Sequence, residues 1–112
     1  GIDINMGCPQ HFSISGGMGA ALLSNTENAR KIIEAVREAV HIPVTCKIRI
    51  HREVEETISF CKQMVEGGVA AIAIHGRTQM QRMYHPNNVD MIRNVSLLLP
   101  IPVIAKFVTY KR

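Results

Sequence analysis

Three groups of residues in this sequence have the types and spacing to do chemistry. The first centres on Cys8, where the alternating stretch Ile2 to Met6 runs into Gly7-Cys8-Pro9 and the pleat must stop. A polar loop follows, then Gly16-Gly17-Met18-Gly19 and the helix-prone Ala20-Ala21-Leu22-Leu23. A thiol on a strand-to-loop junction, followed by glycines that let backbone amides approach a ligand, is an active-site layout of α/β proteins. The same residues also read as a packed thiol at a strand end beside an ordinary loop. Cys8 and His11 would make half of a zinc site, but no second pair of matching spacing accompanies them, so no metal is expected. The second group is Lys47 with Arg49, two cations on one face of an otherwise apolar stretch. A strand buried on both faces tolerates such a pair only beside an anion or a polar cavity. The third is His75-Gly76-Arg77, directly after a run of small and apolar residues.

The elements that must position these groups follow from periodicity. Ser24-Asn25-Thr26-Glu27 has the pattern of a capping box and predicts a helix with Ile32, Ile33, Val36, Ala39 and Val40 inward. Pro43 ends it and opens a strand in which Val44, Cys46, Ile48 and Ile50 face one way and Thr45, Lys47 and Arg49 the other. Glu53 to Glu66 predicts a second helix with Val54, Ile58, Cys61 and Val65 on its apolar stripe, closed by Gly67-Gly68. Val69 to Ile74 predicts a strand. Asn87 to Leu98 predicts a third helix with Val89, Ile92 and Val95 or Ser96 inward, and Ile101 to Lys106 a last strand. Strand and helix alternate without hairpin signals, so the strands are expected to be parallel with right-handed crossovers. Pleat parity then puts Asn5, Lys47 and His75 on one face, with Cys8, Arg49 and Arg77 at or just beyond strand C-terminal ends.

The chain has 112 residues with 46% hydrophobic content, enough for one cored domain at most. No apolar run approaches the roughly 18 residues of a membrane span, and no signal peptide is visible. Cys8, Cys46 and Cys61 lack a regular spacing and read as free thiols of a reducing, cytoplasmic compartment. A net charge of +4 suits a polyanion such as RNA. Phe12, Phe60, Tyr84, Phe107 and Tyr110 are too few to predict a dedicated stacking surface for single strands. Arg52, Arg77 and Arg82 are candidates for RNA phosphate, or for plain solvation.

Taken together, N-M-G-C-P with G-G-M-G-A-A-L-L downstream, P-V-T-C-K-I-R-I from Pro43, A-I-A-I-H-G-R from Ala71 and I-P-V-I-A from Ile101 resemble the tRNA-dihydrouridine synthases. The motifs stand in the family's order and cover the chain to about Ala105; the wording is most like that of the eukaryotic members acting at position 20 of the tRNA D-loop. The resemblance implies a partial (β/α)8 TIM barrel of about four parallel β/α units over residues 1–112. It also implies an oxidoreductase that uses FMN and NADPH to reduce uridine in tRNA. Residue by residue, it makes Cys8 the proton donor to uracil C5 and Asn5 a hydrogen-bonding partner of the uracil edge. Lys47 becomes the cation at the polar edge of the flavin ring and His75 a flavin contact. Arg77 completes the H-G-R motif, and Arg49 is open between a rim cation, an RNA phosphate contact and a salt-bridge partner; both are taken as substrate-binding residues.

Two departures from the family pattern stand out. The loop Gln10-His11-Phe12-Ser13-Ile14-Ser15 lacks the lysine that members commonly carry there. Lys106 and Phe107 replace the Asn-Gly that opens the flavin-phosphate site, so residues 106–112 leave the pattern. The expectation is therefore about half a barrel, incomplete at both ends and without helical tRNA-binding domain. Alone, it is expected to be inactive, to hold FMN weakly and to be prone to edge-to-edge self-association. Other readings are an inactive splice or gene-fragment product with at most a binding role, and another FMN barrel such as a dihydroorotate dehydrogenase; G-C-P together with H-G-R disfavours the latter.

Overall fold

Apolar side chains at every second position of four short segments dictate the architecture. In the computed structural model, which describes residues 1–6, 25–77 and 88–106, these segments are β1 (Ile2–Met6), β2 (Val44–Arg49), β3 (Ala71–His75) and β4 (Val103–Lys106). Between them lie α1 (Thr26–Ala39), α2 (Val54–Gly67) and α3 (Val89–Leu98). The strands form one sheet in the order β1-β2-β3-β4, every pair parallel. A parallel sheet whose spatial order equals its chain order has no switch point, so right-handed crossovers stack every helix on the same face. That is the arrangement of an arc of a (β/α)8 barrel, as expected from the sequence.

The helix-facing side of the sheet is the core. Met6, Val44, Cys46, Ile48, Ile72 and Ile74 are fully buried there, against Ala29 and Ile33 of α1, Phe60, Cys61 and Met64 of α2, and Met91, Ile92 and Val95 of α3. The alternation expected for β2 holds: Val44, Cys46 and Ile48 are buried toward the helices, and Thr45, Lys47 and Arg49 occupy the opposite face. Among the described residues, no helix is long and apolar enough to cross a membrane.

The helices differ from expectation in three places. The N-cap of α1 is Asn25, whose side chain accepts a hydrogen bond from Asn28 N at 3.2 Å. Its inward positions are Ala29 and Ile33, with Ile32, Val36 and Val40 only partly buried and Ala39 exposed. On α2 the buried stripe is Thr57, Phe60, Cys61, Met64 and Gly67; Val54, Ile58 and Val65 lie on its margin. A buried threonine is tolerated because its hydroxyl donates to Glu53 O at 3.1 Å and accepts from His51 N at 3.0 Å. With Thr57 satisfied, the helix can turn the bulkier Phe60 and Met64 inward. On α3, Val89 is exposed and Met91 takes the inward place beside Ile92 and Val95. The expected glycine stop after α2 is present. Gly68 has φ 106°, Gly68 N donates to Val65 O at 3.0 Å and Val69 N to Met64 O at 3.3 Å, which is a Schellman cap.

Candidate active site

The face of the sheet away from the helices carries the polar residues. Cα register sets Asn5 beside Lys47, Lys47 beside Ala73, Arg49 beside His75, and His75 beside Lys106. Side chains two residues apart on a strand share a face, so Asn5, Lys47, Arg49 and His75 all stand on the same one. The expected parity is thereby met. Asp3 and Thr45 continue that face toward the strand N-termini, where Thr45 Oγ1 donates to Asp3 Oδ1 at 2.8 Å.

Depth varies across this surface. Asn5 is exposed and Lys47 half-buried, while Arg49 and His75 retain only 7% and 8% of their accessible surface. Arg77 retains 2%, deeper than either of the placements considered for it from the sequence. Its position follows from the turn after β3. Arg77 N donates to His75 O at 2.8 Å across Gly76, a three-residue reversal that folds the chain back on itself. The Arg77 guanidinium (Nη1) then hydrogen-bonds His75 Nε2.

Two further backbone bonds tie this turn to its neighbours. Ile50 N donates to Arg77 O at 3.2 Å, joining the C-terminal ends of β2 and β3, and Asn88 N donates to Gly76 O at 2.7 Å, docking the start of α3. Gly76 is a site residue that reading for reactive groups passes over. Its signal was the glycine between two functional side chains, and its reason is proximity rather than an unusual φ. Ala71 and Ala73 were likewise visible only as part of a small-residue strand. They share the polar face with Lys47 and His75 and leave a low, partly exposed floor between them.

The donor set suits an electron-rich planar group. Lys47 and Arg49 offer positive charge, His75 a ring, and the alanine floor room for a flat molecule to lie close to the sheet. These residues fit the polar edge of an isoalloxazine ring, which gains negative charge on reduction.

Of the three cysteines, Cys46 and Cys61 are free, buried thiols on the helix side. Burial pushes the Cys46 thiol far above its ordinary range, with the nearby Cys61 and Asp3 charges adding to the effect. Cys61 is pushed up to about 12 by burial. Neither is suited to proton transfer near neutral pH. Cys8, its loop and glycines, His11, and Arg82 lie outside the described residues. Arg52 is exposed.

The family model described as "Dihydrouridine synthase (Dus)" matches residues 1–106. Among curated proteins, the chain is 39% identical over 108 residues to a human protein named tRNA-dihydrouridine(20a/20b) synthase [NAD(P)+]-like, covering 94% of this chain and 34% of that protein. It is 39% identical over 90 residues to the Schizosaccharomyces pombe tRNA-dihydrouridine(20) synthase [NAD(P)+], covering 77% of this chain and 19% of that protein. A probable tRNA-dihydrouridine synthase of Rickettsia prowazekii is 40% identical over 106 residues, covering 93% of this chain and 32% of that protein. The chain thus spans about a third or less of the length of these relatives.

Proposed function

Because the chain belongs to the dihydrouridine synthase family, we propose that it forms the catalytic segment of an enzyme reducing uridine to dihydrouridine in the D-loop of tRNA, in the cytoplasm. The observation that carries this reading is the common face of Asn5, Lys47, Arg49 and His75 across three parallel strands, with Ala71 and Ala73 as its floor. When bound, FMN would supply the hydride for uracil C6, drawn from NADPH.

The chain's own residues have separate tasks in this reading. Lys47 stabilises negative charge at the polar edge of the flavin ring, and its half-buried position keeps that charge partly shielded from water. His75 contacts the ring from the adjacent strand. Asn5, exposed at the end of β1 and one register step from Lys47, holds the uracil edge by hydrogen bonds. Cys8 lies three residues beyond Asn5 in the chain and gives its thiol proton to C5 as hydride reaches C6, which saturates the double bond. The thiolate left behind regains a proton from solvent. Arg49 and Arg77 add positive charge on the side where RNA arrives, Arg49 directly and Arg77 from behind His75.

Replacement of Lys47 tests the cofactor half of this reading. In the full-length protein, Lys47→Met is expected to slow flavin reduction by NADPH about tenfold, equivalent to about 1.4 kcal/mol of lost charge stabilisation. Stopped-flow bleaching of the flavin absorbance measures it. An unchanged rate in a folded, flavin-loaded variant would remove Lys47 from the flavin's surroundings.

A further inference from the structure

The contact between Arg77 and His75 decides the chemical form of the histidine. A guanidinium has only N–H donors and no acceptor, so the hydrogen bond it makes to Nε2 requires a lone pair on that nitrogen. The ring is then neutral, and its one remaining proton sits on Nδ1. The surroundings favour the same form. Arg49 is the register neighbour of His75 on β2, and Lys47 stands one step further along the same face. Imidazolium would add a positive charge to this group in a place where His75 and Arg49 are both withdrawn from water. Asp3 lies toward the far end of the face, bonded to Thr45. On α3, whose N-cap docks on Gly76, Asp90 and Arg93 are exposed.

We propose that Arg77 is a positioning residue, which holds His75 as a neutral imidazole protonated on Nδ1. His75 then meets its ligand as a neutral ring and takes no part in proton transfer. That the ligand is a flavin rests on the function proposed above; the tautomer does not. The short turn explains why the arginine comes two residues after the histidine. Closure around Gly76 brings the guanidinium back to the Nε2 edge of the ring, and the Ile50 N to Arg77 O bond fixes the turn against β2.

The test is a long-range proton–nitrogen correlation spectrum of the full-length protein, without added flavin or tRNA, carrying isotope-labelled histidine. Such a spectrum distinguishes the two neutral tautomers from each other and from imidazolium. His75 is expected to show the Nδ1-protonated neutral pattern unchanged between about pH 5 and 8, the interval in which an unperturbed histidine changes charge. Arg77→Met is expected to release His75, which then titrates or moves to the Nε2-protonated form while the amide signals of Ile72 and Ile74 keep their folded positions. A wild-type His75 that is Nε2-protonated or imidazolium at pH 7 would overturn the proposal, as would an unaltered His75 in folded Arg77→Met. Should that variant not fold, the wild-type spectrum decides alone. Failure to bind flavin would count against the proposed function and leave the tautomer standing.

Discussion

Replacing Cys8 by alanine in the full-length protein is expected to lower turnover on tRNA by about 10²–10⁴, the usual contribution of a positioned general acid. Reduction of the bound flavin by NADPH is expected to proceed at the wild-type rate, because in the proposed mechanism the thiol acts on the uracil and not on the nicotinamide. The two half-reactions separate these effects: flavin bleaching by NADPH alone, then its reoxidation by tRNA. The other two cysteines provide the control. Cys46 and Cys61 are fully buried in the core on the helix side of the sheet, with thiols that burial keeps protonated. Cys46→Ala and Cys61→Ala are therefore expected to lower stability while the folded enzyme keeps its turnover. If Cys8→Ala slowed flavin reduction as well, Cys8 would be a structural residue of the flavin pocket.

The second large effect concerns Gly76. A Cβ added there would stand 2.7 Å from Asn88 N, and 3.2 Å from Asn88 O and Ile92 Cδ1. The nearest atom is backbone and is already donating to Gly76 O at 2.7 Å, so it cannot step aside without breaking the bond that docks α3 on the end of β3. Gly76→Ala is expected to cost about 1–3 kcal/mol, as for other overpacking changes. It should also loosen the turn that carries Arg77 back to His75. Gly67→Ala is the natural comparison, since its Cβ would meet side-chain atoms of Ile33 at 3.1 Å and of Arg30 at 3.3 Å. Those atoms belong to partly adjustable side chains, and the loss should be smaller. Denaturant midpoints of both variants measure the difference. Equal stability of Gly76→Ala and wild type would mean that α3 is not held at that point.

The strands and the face they present were legible because period-two alternation survives without any knowledge of the fold. Val44, Cys46 and Ile48 against Thr45, Lys47 and Arg49 admit one register, and one-residue slippage would turn both cations into the core. The parallel order followed from helices alternating with strands. The inward face of α2 was not legible. Thr57 looks like a solvent-side residue until Glu53 O and His51 N are seen to satisfy its hydroxyl, and apolar Ile58 then falls to the margin. Nor was the depth of Arg77. Arginine is rarely buried unpaired, so a sequence reading puts it in water or on phosphate, and only the turn at Gly76 reveals its partner. The catalytic assignment of Cys8 rests on the N-M-G-C-P pattern, because its loop lies outside the described residues.

If this chain's polar sheet face serves uridine reduction in tRNA, the full-length protein must change uridine itself. The most direct test is to incubate the flavin-loaded full-length protein with unmodified tRNA and NADPH, and then to map the product by nuclease digestion and mass spectrometry. The account predicts a uridine of the D-loop that has gained two hydrogens, seen only when NADPH is present. A folded, flavin-loaded protein that consumes NADPH and leaves every uridine of its tRNA unchanged would contradict it.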